Sequence, residues 1–169
     1  SVEMDTDADR AALDALNEVQ ITPVSVARGD GGGGPDAANP HPEGKVPLLE
    51  HDGVAIRESD AIMIHLTDLF PQAGLAPARG TPEHGAFLSW MAWYGNVLEP
   101  VVVSKLSGVD AKAMYGTFRG MEEAEAALIK ALEAGPWLLG QTRSAADILV
   151  SSMYHWMPDL IPNNDAVKD

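Results

Sequence analysis

Residues 43–62 read EGKVPLLEHDGVAIRESDAI. Two short runs rich in Val, Leu and Ile flank Asp52-Gly53, the dipeptide that tolerates positive φ in a two-residue turn, so the stretch predicts a β-hairpin. The continuation RESDAIMIHLTDLFP predicts a helix: Ser59 is placed to cap it, Ile62, Leu66 and Leu69 or Phe70 form the apolar stripe, and Pro71 ends it. Two features exceed what a hairpin and a capped helix require. A proline, Pro47, opens an apolar strand, and a Glu58-Ser59 pair opens the helix.

Upstream, DTDADRAALDALNEVQ sets Asp and Thr before Leu13, Leu16 and Val19, the spacing of a short amphipathic helix. ITPVSVAR then reads as a strand. The segment GDGGGGPDAANPHPEG is too rich in Gly and Pro for regular structure and reads as a disordered surface connector. A phosphate cradle would need Lys-Ser/Thr after the glycines and a strand-to-helix context, and neither is present.

Downstream, QAGLAPARGTP, residues 72–82, reads as an interdomain linker, and the pattern beyond it is helical. From Pro82 to about Leu106, Phe87, Trp90, Met91, Tyr94, Leu98 and Val101 recur at three and four, with Pro100 expected to bend the rod. Met114, Phe118, Met121, Leu128 and Leu132 repeat the spacing from Asp110 to Glu133. In PWLLGQTRSAADIL, Ser144 is expected to accept the amide of Asp147, and Asp147 to accept that of Ser144, opening a helix that runs to about Met157.

Composition narrows the function classes. The chain has 169 residues, a one-domain length that buries roughly two thirds of the unfolded surface. It carries 11 basic and 25 acidic residues, a net charge of -14, which opposes binding to nucleic acid or to an anionic membrane. No apolar run approaches the length of about 20 residues that spans a bilayer. Without cysteine there is no disulfide, no thiolate nucleophile and no thiolate metal site within the sequence. A cytoplasmic protein is the expectation. His41, His51, His65, His84 and His155 show no i, i+4 pair or compact ligand spacing, so surface placement and no metal are expected.

Taken in order, GKVPLLE, ESDAI, the linker, the aromatic-bearing helix and PWLLGQTRSAADIL resemble the cytosolic glutathione S-transferases, bacterial ones in particular, over roughly residues 20–169. The resemblance implies an α/β thioredoxin-like N-terminal domain, residues 1–71, a linker at 72–82, an all-helical C-terminal bundle over 83–169, and a homodimer. It implies a cis Val46-Pro47 bond that frees backbone groups of Val46 to pair with glutathione as with an added strand. Ser59 would hold the γ-glutamyl carboxylate, Glu58 the ammonium, and Lys45 the glycyl carboxylate. Trp90 and Tyr94 would line a pocket for an apolar electrophile, although aromatics at helical spacing are more often core.

The implied activity is conjugation of the glutathione thiol to small apolar electrophiles, with glutathione as co-substrate. Alternatives on the same fold are a noncatalytic binding or dimerisation module and a glutathione-dependent isomerase or peroxidase. The family's thiol-activating Ser, Tyr or Cys follows a first strand that has no counterpart here, so the catalytic residue is unknown. The native protein is accordingly expected to be longer, with a first strand and a terminal helix in addition.

Overall fold

In the computed structural model, residues 22–24, 26, 36–109 and 111–168 are described, with nothing stated of the side chains of 111, 113 and 168. The helix expected around Leu13, Leu16 and Val19 and residues 29–35 of the glycine-rich segment lie outside these residues. The chain divides into two compact units, residues 1–48 and 49–169.

In the first unit, residues 22–24 and 26 belong to no strand, contrary to the strand expected there. Pro23 has no N–H to give a ladder, which weakens a run that is otherwise β-branched. Residues 36–45 also differ from the disordered connector expected. The Asp36 carboxylate accepts the Ala38 amide at 2.9 Å, and the Asn39 side chain accepts the His41 amide at 2.9 Å while donating to the Lys45 carbonyl at 3.0 Å. Asp and Asn side chains thus satisfy the backbone groups that no sheet or helix uses. The Val46-Pro47 bond is cis.

The second unit carries the hairpin, β1 (Leu48–His51) and β2 (Val54–Arg57). Asp52 at φ 50° and Gly53 at φ 75° both sit in the left-handed region that a tight hairpin turn demands. Helix α1 (Ser59–Leu69) follows and packs against β2 and against the helices α2 and α5 defined below. Its cap differs from the sequence reading. Glu58 occupies the cap position, at φ 68° and ψ 130°, and Ser59 is the first helical residue. The Glu58 carbonyl takes the Ile62 amide at 3.0 Å, so the helix closes its first turn without a side-chain cap.

After a short 3-10 turn at Pro71–Ala73, the carbonyl of Leu75 accepts the amide of Ala145 at 2.8 Å, and Leu75 and Ala76 pack on the main core. The segment read as a linker is therefore fastened to the start of the last long helix. Thr81 caps α2 (Pro82–Trp93), accepting the His84 amide at 3.2 Å.

The long rod expected from Pro82 to Leu106 is continuous, but it contains a widened turn. α2 passes into one wide turn, Tyr94–Leu98, in which the Glu99 amide reaches the Tyr94 carbonyl, and α3 (Glu99–Ser107) resumes from there. Pro100 is the cause: it gives no amide and its ring crowds the carbonyl four residues back, so the ladder widens by one residue just upstream.

The next helix is shorter than expected. Ala111–Met114 form a 3-10 turn, and α4 (Met121–Glu133) begins only after Gly120, whose amide donates to the Glu123 carboxylate at 3.0 Å. Gly116 and Gly120 interrupt the apolar spacing with residues that disfavour a helix interior.

Helix α5 (Ala145–Trp156) ends where the sequence places it, and α6 (Asp165–Lys168) packs on α4. The main core is built by Phe87, Met91, Tyr94, Leu98, Val102 and Leu128 against Leu149, Val150 and Met153 of α5. These are the positions spaced three and four apart in the sequence, and their burial is what turns marginal helices into a bundle.

Candidate functional site

The residues expected to hold glutathione fall in both compact units. In the first, Lys45 is exposed and ion-paired with Glu43 at 2.8 Å, Val46 is 54% exposed, and Pro47 is exposed on the far side of the cis bond.

In the second unit the start of α1 is the chemically unusual place. A non-glycine residue at φ 68° and ψ 130° is sparsely populated, and the strain of such a residue persists only where its surroundings hold it. Glu58 is exposed, and its carboxylate makes no hydrogen bond to the helix it caps. Among the described residues neither that carboxylate nor the Ser59 hydroxyl has a partner. Beyond them lie the opening amides of α1, a turn that is intrinsically electropositive. The Ala61 amide is already used, donating to Asp60 Oδ1 at 2.8 Å.

Asp60 is a residue the sequence reading missed. It stands so close to the wide turn that a Cβ on Gly95 would lie 3.5 Å from its Oδ2. A Cβ at 95 would be in ordinary contact with it, and the only sequence signal for Asp60 is the third letter of ESD.

Trp90 and Tyr94 occupy different depths. Tyr94 is 7% exposed and belongs to the main core, whereas Trp90 is half-buried, packs on that core and meets Trp93 edge-on at 5.1 Å. Burial pushes the Tyr94 phenol up, the nearby Glu99 and Asp60 carboxylates add to this, and a hydrogen bond with Ser152 acts the other way. The phenol therefore stays neutral at physiological pH.

The histidines depart from the sequence reading as well. His51, at the end of β1, and His65, in α1, meet with 2.9 Å between Nδ1 of the first and Nε2 of the second. Their separation of fourteen positions, across a turn and a helix start, hid the pair from any spacing rule.

Residues 9–74 match the model of the glutathione S-transferase N-terminal domain. Among solved structures, a glutathione transferase from Methylococcus capsulatus is 28% identical with a TM-score of 0.62, the alignment covering 76% of this chain and 64% of that one. A sphingomonad glutathione S-transferase complexed with glutathione is 27% identical at a TM-score of 0.59, covering 76% and 65%. BphK, a bacterial glutathione S-transferase solved as a ternary complex, shares the fold at 23% identity and a TM-score of 0.61, covering 75% and 64%. The chain thus spans just under two thirds of the length of these relatives. No curated protein matches the sequence. The fold is a thioredoxin-like N-terminal domain followed by a helical one, and the chain is similar to the glutathione S-transferases, with bacterial members among its structural neighbours.

Proposed function

We propose that the protein is a glutathione S-transferase that joins the glutathione thiol to small apolar electrophiles. The observation that carries this reading is the Glu58-Ser59 corner, where a carboxylate and a hydroxyl, both without a partner among the described residues, flank the opening amides of α1. An α-amino acid terminus carries the complementary groups: its carboxylate suits Ser59 and the amides, and its ammonium suits Glu58. The γ-glutamyl end of glutathione is such a terminus. By the family likeness alone, Val46 and Pro47 would receive the peptide portion and Lys45 the glycyl carboxylate. The glutathione held by the sphingomonad relative supports the assignment.

In the reaction the thiol loses its proton, the sulfur forms a bond to the electrophilic carbon, and the leaving group departs. The enzyme's contribution is to hold the two reactants together in a site that excludes water. Trp90, half-buried, with Tyr94 behind it, would supply an apolar wall for the acceptor. By the family likeness, residues 1–71 form the glutathione-binding part and 83–169 the helical part of a cytoplasmic homodimer with a role in detoxification.

Calorimetric titration of glutathione into the chain, followed by conjugation of glutathione to an aromatic halide, tests the proposal. Saturable binding with turnover supports it. Binding without turnover reduces the reading to a glutathione-binding module, and absence of binding removes it.

A further inference from the structure

We propose that His51 and His65 form a binding site for a divalent transition-metal ion of the imidazole-preferring class, Ni2+ or Cu2+. The inference is independent of the glutathione reading. It rests on the convergence of two ring nitrogens that belong to different elements. His51 closes β1, His65 lies in α1, and their rings are 5.1 Å apart between centroids and inclined at 55°.

The spacing of the nitrogens is the informative quantity. Two imidazole nitrogens each about 2.0–2.1 Å from one ion, and at about 90° around it, lie about 2.9 Å apart. The separation of His51 Nδ1 and His65 Nε2 is 2.9 Å. Neighbouring positions of an octahedral or square-planar ion match that separation once the two rings turn so that both lone pairs converge on the ion instead of on each other. A tetrahedral ion would require the nitrogens to part to about 3.3 Å. In the metal-free protein the two nitrogens share a hydrogen bond, and ligation would exchange it for two bonds to an ion lying to one side of the line between them.

The surroundings favour a cation. Asp52 places a carboxylate oxygen 3.7 Å from the other nitrogen of His51, where it favours the tautomer that leaves Nδ1 free to ligate. Asp68, one turn along α1 from His65, interacts with that imidazole electrostatically. The whole chain carries a net charge of -14, which draws cations toward its surface. The His51 side chain is 42% exposed, so an ion can enter without opening the fold. No third His, Asp or Glu converges among the described residues, and water would fill the remaining positions.

The other histidines are disposed differently. His84 Nδ1 faces the Pro77 carbonyl at 3.0 Å, His41 Nδ1 accepts the Glu43 amide at 3.1 Å, and His155 is exposed near the end of α5. His155 is thus the natural control.

The test is calorimetric titration of Ni2+ into the untagged chain at neutral pH, with thermal melting measured in parallel. The expected result is one ion per chain and a raised melting temperature. His51→Gln and His65→Gln should each weaken binding by about ten-fold or more and abolish the thermal shift, whereas His155→Gln should match the parent. Should His65→Gln fail to fold, the half-exposed His51→Gln carries the test alone. Absence of binding at millimolar Ni2+, unchanged affinity in either histidine variant, or loss of binding in His155→Gln would overturn the proposal.

Discussion

The Asp147 carboxylate accepts the Ser144 amide at 2.7 Å and the Ser144 hydroxyl at 2.9 Å, so the two residues close a ring at the start of α5. Its second oxygen accepts the Leu138 amide, also at 2.7 Å, which ties the preceding turn to the same helix. The capping box expected from the sequence is present, and the Ser144 hydroxyl adds a further bond to it. Ser144 donates to the carboxylate, and the Asp147 amide goes to the Ser144 carbonyl at 3.2 Å. Asp147→Ala would leave two amides without their acceptor, one of them on a residue that is 1% exposed. The expected loss is about 3 kcal/mol. Asp147→Asn, which keeps one acceptor oxygen, should fall between, as urea denaturation will measure.

Ser59→Ala is expected to weaken glutathione binding by about ten-fold, the loss of one hydrogen bond to a charged group. Because the hydroxyl caps nothing, the melting temperature should not change. A variant that loses stability but keeps its affinity would return Ser59 to a structural role. Calorimetry and thermal melting on the same samples separate the two outcomes.

Tyr154 is a different kind of residue. Its hydroxyl is buried without a partner among the described residues, and burial, with Glu125 nearby, pushes the phenol up to about 12 from an ordinary 10. The folded state therefore holds this proton more tightly than the unfolded state. Stability from it is complete below pH 10 and falls as the pH rises from 10 toward 12. Tyr154→Phe removes the unsatisfied group and is expected to stabilise the protein by about 1 kcal/mol. It should also flatten the alkaline decline in a pH series of melting temperatures.

Asp68 acts at the opposite end of the pH scale. The Arg79 guanidinium grips its carboxylate through both nitrogens and lowers the pKa from 3.8. A lowered folded value means stability that is present above the unfolded pKa and lost as the pH falls through the folded one. Arg79 is exposed and Asp68 partly so, which leaves the effect small and screened by salt. Asp68→Asn should make acid denaturation slightly less steep below pH 3.8, most visibly at low ionic strength.

Legibility followed distance along the chain. The Asp52-Gly53 turn, the end of α1 before Pro71 and the start of α5 at Ser144 were readable because each is decided by a few adjacent residues with strong local preferences. The apolar stripe of α2 was readable for a related reason, since a helix repeats every 3.6 residues whatever it packs against.

Other features needed the fold. Whether Tyr94 lines a surface or sits in the core depends on α5, which brings Ser152 to its phenol from 58 positions away, 152 − 94. Glu58 could be named from its place before Ser59, but its left-handed backbone could not, because local preference runs against it and packing must enforce it. The wide turn at Tyr94–Leu98 follows from Pro100, yet a bend and a widened turn relieve the same clash, and only the packed neighbours select between them. His51 and His65 share no sequence pattern at all. They meet because the hairpin turn reverses the chain and α1 then packs back on β2, an arrangement set by burial of apolar surface rather than by either histidine.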